Sequence, residues 1–188
     1  MKKIFLLAIL AACFSCSTKA QVNWKSIEQA SQVNVNDNQR VFLVDFSTSW
    51  CGWCKKMDKE TFSDPVIAAI LNKYYVPVHF DAEGKSQFTW HNGKKYTGSG
   101  VGANGRPATH PFTKDILGQK IGYPSIALFA PDGHLIQILQ GYQNAYDFQI
   151  ILWYFCSGDR SRYSFEEYQQ IFDSKIKPKM MKKLGLAR

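Results

Sequence analysis

The sequence predicts an α/β protein in which helices flank a central sheet of mixed strand direction. Its 188 residues favour a single domain. Some segments are apolar runs typical of buried strands, and others repeat apolar residues at helical intervals. The predicted order of elements is helix, strand, helix, helix, strand, insertion, helix, strand, strand, helix, helix. The last two strands are joined by Pro131-Asp132-Gly133, a turn sequence that makes them neighbours. Strands with helices between them and a terminal hairpin indicate a mixed sheet.

In the first half of the chain, each predicted element has its own local signal. Apolar residues at helical intervals predict a short helix over residues 22–33, and the near-continuous apolar run of residues 40–48 predicts a central buried strand. A helix is expected from Cys51. Asp64 resembles an N-cap with Pro65 at the first position of a second helix. Residues 76–82 predict the next strand.

Residues 83–108 interrupt this alternation as a polar, glycine-rich insertion. Within it, Asn92-Gly93 lies between alternating aromatic residues, which is a strong signal for a two-residue hairpin turn. We therefore expect the insertion to be a surface feature beside the Cys51 end of the molecule. On that expectation, its removal would leave a folded domain with altered partner choice.

The second half of the chain predicts helices after the insertion and at the end. Gly118 ends a short helix over residues 109–117, and residues 144–155 form a strongly apolar helix that must be buried. Ser164 begins a capping box for a last helix that extends to about Phe172. The domain is expected over residues 21–174, and residues 175–188 as a basic, solvated tail. No basic stripe with interleaved aromatics accompanies that tail, so nucleic acid is not an expected partner despite a net charge of +8.

Residues 1–20 resemble an export leader, with a Lys-Lys start and an apolar run too short to span a bilayer comfortably. Cleavage after Ala20 and lipid attachment at Cys13 or Cys16 are competing interpretations, and cytosolic retention is a further alternative. The expected location is the periplasm, the cell envelope or the extracellular space. Contact with a membrane is expected only through a lipid anchor.

Cys51 and Cys54 form the close pair in Cys-Gly-Trp-Cys. A redox pair, half of a metal site and a structural staple are the alternatives. A zinc site usually needs four ligands, whereas the chain has no second such pair and its histidines are scattered, so no metal is expected. A bridge across two residues closes almost no loop and stabilises little. Cys156, which lies among aromatic residues, is expected to be a buried and unreactive thiol.

The positions of the two cysteines predict different roles in a redox reaction. At spacing i, i+3 on a helix their sulfurs share one face, within reach of a disulfide. Cys51 lies at the helix start, where free N–H groups and the helix dipole lower the pKa of a thiol. Cys54 lies one turn inside and should be more covered. Cys51 is therefore the expected nucleophile, and Cys54 the expected resolving cysteine.

The stretch FLVDFSTSWCGWCKKM, with Trp50 before the first cysteine, resembles the active-site strand and helix of thioredoxin-like proteins. IGYPS, residues 121–125, resembles the cis-proline segment of the same family, which would make Pro124 the cis-proline. The resemblance runs over residues 22–172 and is weak in the insertion. Secreted bacterial thioredoxin-related proteins with an insertion before the cis-proline strand are the most similar group. The resemblance implies a thioredoxin fold.

The resemblance also implies roles for further residues. Asp45 matches a buried aspartate that accepts a proton from the resolving cysteine, and His79 matches the basic residue opposite it. Tyr123, before the cis-proline, would border the attacking sulfur and pair with substrate through its backbone. Structural alternatives are a hydrogen-bonded aspartate at the sheet end, a satisfied core histidine and simple packing of the tyrosine. Residues expected to contact substrate are Trp50, Gly52, Trp53 and Tyr123.

The expected function is that of an exported thiol–disulfide oxidoreductase that exchanges disulfides with client proteins and needs no cofactor. Gly52-Trp53 departs from the dipeptides of thioredoxins and disulfide isomerases, so reductase, isomerase and oxidase roles stay open. Expected partners are client thiols or disulfides and a membrane or periplasmic redox partner. A non-catalytic peptide-binding module of the envelope is one alternative. A redox partner dedicated to cytochrome or envelope assembly is another.

The leader yields a first test. If residues 1–20 direct export, N-terminal sequencing of protein recovered from cells should give a chain that starts at Gln21, Cys13 or Cys16. A lipid mass on the first cysteine would distinguish the two anchored forms from the soluble one. Recovery of protein with an intact Met1 from the cytosol would contradict the export hypothesis.

Overall fold

The computed structural model describes residues 21–34, 36, 39–102 and 105–187. The leader expected over residues 1–20, with Cys13 and Cys16, lies outside these described residues. Within them, no helix is both long enough and apolar enough to cross a membrane.

Six strands and seven α-helices make up the described chain. The strands are β1 (Val41–Ser47), β2 (Tyr75–Asp81), β3 (Gln87–Thr89), β4 (Lys95–Thr97), β5 (Ser125–Phe129) and β6 (Leu135–Gln140). The helices are α1 (Ile27–Ser31), α2 (Gly52–Met57), α3 (Pro65–Tyr74), α4 (Pro111–Leu117), α5 (Ala145–Cys156), α6 (Phe165–Ile171) and α7 (Lys177–Leu184). Two π-helical turns, Asp58–Phe62 and Phe172–Ile176, follow α2 and α6, and a 3-10 turn, Asp159–Ser161, follows α5.

The main sheet has the strand order β2-β1-β5-β6. β1 runs parallel to β2 and antiparallel to β5, and β6 is antiparallel to β5. This arrangement confirms the predicted mixed sheet with β1 as its central buried strand. The predicted turn between β5 and β6 is also confirmed: Gly133 there has a φ of 85°, a conformation that glycine adopts without steric cost.

Several helices begin at the residues that the sequence predicts. Asp64 accepts hydrogen bonds from the first amides of α3, with Pro65 at its start, and Ser164 forms a capping box at α6. The first helix is shorter than predicted, because Lys25 pairs with β2 instead of joining α1. The Lys25 amide donates to the Pro77 carbonyl at 2.9 Å, and the His79 amide donates to the Lys25 carbonyl at 3.1 Å.

Two hydrophobic cores lie on opposite faces of the main sheet. The first packs α2, α3, α5, α6 and α7 against one face, and its largest members include Tyr75, Phe148, Trp153, Tyr168 and Phe172. The second packs α1, the β3–β4 hairpin and α4 against the other face. Its aromatic members are Phe42, Phe46, Phe80, Phe88, Trp90, Tyr96, Phe112 and Phe129.

The insertion is not the surface feature that its composition predicts. Its hairpin is present, but the Trp90 amide donates to the Lys94 carbonyl and Gly93 has a φ of 82°, so the loop is longer than two residues. Phe88, Trp90 and Tyr96 are buried in the second core. The physical reason is that α1 and α4 are short, and the aromatic residues of the hairpin fill the space that they leave on this face.

Phe112 of α4 lies at the centre of this aromatic packing. Its ring centroid is 5.5 Å from that of Trp90 and 4.9 Å from that of Tyr96. The indole of Trp90 also donates a hydrogen bond from Nε1 to the Gly133 carbonyl at 3.2 Å, which ties the hairpin to the β5–β6 turn. The hairpin of the insertion is therefore part of the folded core through Phe88, Trp90 and Tyr96.

Residues 175–187 are likewise not a frayed tail. Ile176, Met180 and Leu184 recur every four residues and pack into or against the first core. The Lys73 ammonium group donates to the Lys183 carbonyl at 2.7 Å, near the C-terminal end of α7. The spacing of the apolar residues explains why this basic segment is a helix.

The packing of the hairpin predicts that Trp90→Ala lowers the free energy of unfolding by about 3–5 kcal/mol, because it leaves a cavity among aromatic rings. Urea unfolding followed by circular dichroism measures this change. Thr89→Ala, at an exposed hairpin position, is the control and should cost under about 1 kcal/mol. A loss below about 1 kcal/mol for Trp90→Ala would restore the interpretation of a dispensable surface insertion.

Candidate redox site

The two cysteines lie where the central strand β1 passes into α2. The Cys51 amide donates to the Thr48 carbonyl at 3.1 Å, which closes the turn between strand and helix. Cys51 is the N-cap of α2, and its Sγ accepts a hydrogen bond from the Cys54 amide at 3.1 Å. The two residues form a disulfide with their Cα atoms 5.3 Å apart, as the spacing predicts.

The exposure of the two cysteines differs from expectation. Cys51 is 4% exposed and Cys54 is 5% exposed, so the resolving cysteine is not the more covered one in the disulfide form. The covalent bond explains this, because each sulfur covers the other. What distinguishes the two is the position of Cys51 at the helix start.

Two tryptophans flank the disulfide and are exposed. Trp50 is 63% exposed and Trp53 is 58% exposed, and both belong to the segment around the cysteines. Gly52, between the cysteines, is also exposed, and a Cβ atom placed there would meet nothing within 4 Å. Packing therefore does not require glycine at this position, and the surface at Gly52 is open to a partner.

The Trp50 side chain is held by residues from two other segments. Its Nε1 donates to Glu83 Oε2 at 2.9 Å, and its ring lies 5.9 Å from that of Tyr123 in an edge contact. Burial raises the pKa of the Tyr123 phenol to about 12, with the negative charges of Glu83 and Asp81 adding to it. Sequence analysis missed Glu83, because it lies in the insertion and no local motif marks it.

The Trp53 side chain is held by a separate set of residues. Its ring lies 5.7 Å from that of Tyr142, which follows β6, and the Lys56 ammonium group is 5.0 Å from both ring centroids. Tyr142 donates from its hydroxyl to Glu60 Oε2 at 2.7 Å. Sequence analysis did not identify Tyr142, since its approach to Trp53 is a tertiary contact.

Pro124 follows a cis peptide bond after Tyr123, as the resemblance implies. It is buried, and its carbonyl accepts from the Gly141 amide at 2.8 Å. This bond links the cis-proline segment to the loop that carries Tyr142. Tyr123 and Tyr142 therefore belong to two joined loops, and they contact the indoles of Trp50 and Trp53.

Asp45 lies on β1, on the same face of the sheet as Leu43 and the first core. It is 2% exposed, and its Oδ2 is 3.2 Å from Nδ1 of His79, its register partner on β2. The Asp45 Oδ1 atom is buried and has no hydrogen-bond partner among the described residues. The other imidazole nitrogen, Nε2, is 3.3 Å from Ser47 Oγ, and 48% of the His79 side chain is exposed.

Burial and mutual charge shift the protonation of this group. Burial raises the pKa of the Asp45 carboxyl, while the hydrogen bond and charge of His79 oppose that rise. The hydrogen bond to Asp45 is the largest effect on His79 and raises the pKa of its imidazole. The pKa of the Asp58 carboxyl is also raised, first by burial and then by the negative charge of Asp45. The two carboxyls and the imidazole thus influence one another.

A cleft of about 260 Å³ lies between His79 and Cys54, and Asp45 is not among its lining residues. Cys54, Asp58 and His79 line it together with Ser47 and Asp81, whereas Cys51 does not. A larger cleft of about 580 Å³ shares Asp58 and His79 and continues to Trp24 and Phe62. Sequence analysis did not identify Asp58, although its position four residues after Cys54 places both on one helix face.

Cys156 lies at the end of α5 and is the free cysteine among the described residues. It is partly buried, and burial raises the pKa of its thiol to about 12. Such a thiol is almost entirely protonated at neutral pH, which agrees with the predicted unreactive role.

Comparison with known proteins identifies the family. Residues 27–155 match the family model described as a thioredoxin-like domain. The thiol:disulfide interchange protein DsbD of Photorhabdus laumondii is 35% identical over 49 residues, which is 26% of this chain and 8% of that protein. An uncharacterized Caenorhabditis elegans protein, B0495.5, is 31% identical over 62 residues, which is 33% of this chain and 8% of that protein. The chain therefore spans only a small part of these curated relatives.

Solved structures agree in fold. A thioredoxin from Thermus thermophilus superposes with a TM-score of 0.52 at 15% identity, covering 76% of this chain and 94% of that one. A putative disulphide-isomerase from Bacteroides thetaiotaomicron gives 0.51 at 18% identity, with 71% and 92% covered. With a mixed sheet, a disulfide at the start of α2 and a matching family model, the chain belongs to the thioredoxin-like family.

Proposed function

We propose that the protein is an exported thiol–disulfide oxidoreductase that exchanges disulfides with client proteins through Cys51 and Cys54. The observation that carries this proposal is the Cys51 Sγ atom at the start of α2, where it accepts the Cys54 amide hydrogen bond. After reduction, the same amide and the helix dipole stabilise a thiolate at Cys51. A stabilised thiolate is the group that attacks a disulfide.

In the reducing direction, the Cys51 thiolate attacks one sulfur of a client disulfide. An S–S bond forms between Cys51 and the client, and the other client sulfur leaves as a thiolate that takes up a proton. Cys54 then loses its proton and attacks Cys51. The bond to the client breaks, the client leaves as a dithiol, and the enzyme keeps the two-electron oxidised disulfide. The reverse sequence donates a disulfide.

Asp45 is the proposed acceptor for the Cys54 proton. Its raised pKa favours proton uptake by the carboxylate, and His79, which it contacts, lines the cleft beside Cys54 together with Asp58. His79 is a proposed positioning residue, since it holds Asp45 Oδ2 and reaches the surface. Support for the assignment is the buried, unpartnered Oδ1 of Asp45 on the α2 side of the sheet.

Client recognition is proposed at the exposed surface around the disulfide. Trp50 and Trp53 offer indole surface, Gly52 leaves room above the sulfurs, and Tyr123 and Pro124 form the neighbouring loop. A client would lie across this surface and pair with the Tyr123 backbone. The chemistry uses sulfur alone, so no cofactor is needed, and a membrane or periplasmic redox partner would reset the disulfide.

The proposed location is the periplasm, the cell envelope or the extracellular space, with lipid attachment at Cys13 or Cys16 as the anchored form. Support comes from the leader-like sequence of residues 1–20 and from an interchange protein among the relatives. An oxidising compartment would keep an unassisted Cys51–Cys54 pair as a disulfide.

Separate substitution of the two cysteines tests the proposal. Cys51→Ser should abolish reaction with client disulfides, because the attacking sulfur is gone. Cys54→Ser should still attack and then stall as a mixed disulfide with the client, because nothing resolves it. Mass spectrometry of protein trapped from the periplasm detects this adduct.

Cys156→Ser is the matched control for both variants and should behave as wild type, since its thiol is protonated. An adduct with Cys51→Ser but none with Cys54→Ser would reverse the assigned roles. Adducts with neither variant, together with retained client binding, would favour the peptide-binding module over the enzyme.

The raised pKa of Asp45 predicts the pH dependence of stability. A carboxyl whose folded pKa is raised holds more protons in the folded state, so its stabilisation is lost as pH rises above about 4 through the folded pKa. The raised pKa of His79 likewise makes the unfolding free energy fall as pH rises, but over a higher pH range than Asp45 does. Asp45→Asn removes the first effect and the largest contribution to the second, so its unfolding free energy should fall less steeply between about pH 5 and about pH 8. Urea unfolding of the oxidised proteins measures this slope.

Asp115→Asn is the control, because Lys94 lowers the pKa of that carboxyl and its contribution changes only below the usual aspartate range. Asp45→Asn should also slow the resolving step at neutral pH while leaving alkylation of Cys51 unchanged. Equal pH slopes for Asp45→Asn and wild type would show that Asp45 does not titrate as proposed.

A further inference from the structure

The Trp53 indole is exposed, yet three side chains restrain it in a closed ring of contacts. Its ring meets Tyr142 at 5.7 Å, and Lys56 lies 5.0 Å from both centroids. Tyr142 donates to Glu60 Oε2 at 2.7 Å, and Lys56 Nζ lies 3.9 Å from the same oxygen. The ring of contacts therefore runs from Trp53 to Tyr142, Glu60 and Lys56 and returns to Trp53.

Restraint of the Trp53 indole reduces the conformational entropy that is lost when a partner binds. A free indole on a helix surface samples several rotamers and loses that freedom when a partner covers it, which weakens binding. An indole already held in one orientation loses less. Aromatic side chains fixed in this way act as anchors in protein interfaces, where a few residues carry most of the binding energy.

The same contacts favour partners that bring an uncharged side chain to the Trp53 indole. Lys56 places a positive charge over the Trp53 ring, and Glu60 only partly offsets it at 3.9 Å. A client lysine or arginine brought to this indole would meet that charge and be repelled. A large apolar or aromatic side chain meets no such repulsion and gains contact with the indole.

We propose that Tyr142 is a positioning residue that holds Trp53 as a platform for clients with a large apolar or aromatic side chain beside the reacting cysteine. This inference rests on the proposed exchange activity of Cys51 and Cys54 and names the client class for that site. Tyr142 does not touch the reacting sulfurs in this role; it acts through Trp53. Lys56 disfavours clients with a cation at the same place.

The chain contains a chemically matched cluster that serves as a control. Tyr146, at the start of α5, donates from its hydroxyl to Asp173 Oδ2 at 2.5 Å and lies under Lys177, whose Nζ is 5.4 Å from the ring centroid. Tyr146 packs edge-on against Phe172 of the C-terminal helices instead of against an indole. Tyr146→Ala therefore removes a similar tyrosine, carboxylate and lysine contact without touching Trp53.

The experiment measures kcat and KM of reduced protein with peptides whose cysteine carries 5-thio-2-nitrobenzoate. Attack by Cys51 on the peptide sulfur forms a mixed disulfide and releases a coloured thiolate, and Cys54 then displaces the peptide thiol. Added dithiothreitol reduces the Cys51–Cys54 disulfide for the next turnover, and the rate measured without protein is subtracted. The peptides place Phe, Gly or Lys on either side of the cysteine. Glutathione disulfide serves as a substrate without such a neighbour, and chromatography of the released glutathione follows its reaction. Variants are Tyr142→Ala, Tyr142→Phe, Lys56→Met and the control Tyr146→Ala.

Wild type should show a KM about 10-fold lower for the Phe peptide than for the Gly peptide, and weakest binding of the Lys peptide. Tyr142→Ala should raise the KM of the Phe peptide about 5–10-fold with kcat nearly unchanged, because it frees the indole. Tyr142→Phe, which loses only the bond to Glu60, should have an intermediate effect. Lys56→Met should improve the Lys peptide selectively. Glutathione disulfide, and Tyr146→Ala with every substrate, should stay at wild-type values.

The possible failures are distinguishable. No reaction of wild type with any disulfide would reject the exchange function itself. Reaction with glutathione disulfide but equal KM values for the Phe and Gly peptides would overturn the client class while leaving the exchange function intact. An equal loss for Phe peptide and glutathione disulfide in Tyr142→Ala would reduce Tyr142 to a structural residue.

Discussion

The hydrogen bond from the Cys54 amide to Cys51 Sγ depends on how β1 delivers the chain to α2. β1 is the only strand of the main sheet with a parallel neighbour on one side and an antiparallel neighbour on the other among the described residues. From Phe42 to Ser47 it is buried. Because both faces of β1 are packed, its end cannot shift without disturbing a core, and the start of α2 is fixed with it. The sulfur of Cys51 is thereby held against the Cys54 amide.

The two cores that hold β1 are built differently. The first contains the longer helices α3 and α5, whereas the second has only α1, with 5 residues, and α4, with 7. Short helices cannot cover the second face of the sheet, and the hairpin aromatics supply the missing surface. The insertion also begins with Glu83, which accepts the Trp50 indole N–H. The insertion thus completes the second core and also orients the Trp50 side chain at the site.

Sequence patterns predicted those features whose cause is local. The helix starts at Asp64 and Ser164 follow from capping chemistry, and the disulfide follows from cysteine spacing on a helix. The sequence indicated the burial of the β3–β4 hairpin less clearly than it indicated these local features. Phe88 and Trp90 alternate on one face of a short strand, but the surrounding glycines favoured a surface loop. The helix over Lys177–Leu184 had its signal in Ile176, Met180 and Leu184, which the dense lysines obscured.

The surroundings of the disulfide depend on contacts that no local pattern contains. Glu83 reaches Trp50 from the insertion, and Tyr142 reaches Trp53 from the loop after β6. These approaches exist only once the sheet order and both cores are in place. Asp58 is an intermediate case, since its helical spacing from Cys54 was visible but its cleft with His79 required the register of β1 and β2.

An inner set of residues on the sheet and an outer set on loops and a helix face surround the cysteine pair. On the inner side, Asp45 and His79 meet through paired strands, so their distance is set by sheet register and changes little with surface substitutions. On the outer side, the indoles are held by side chains from loops and an exposed helix face. Loop residues can change without loss of the core. Under the proposed function, client choice varies through positions such as Tyr142 and Lys56, while Asp45, the proposed proton acceptor, stays constant.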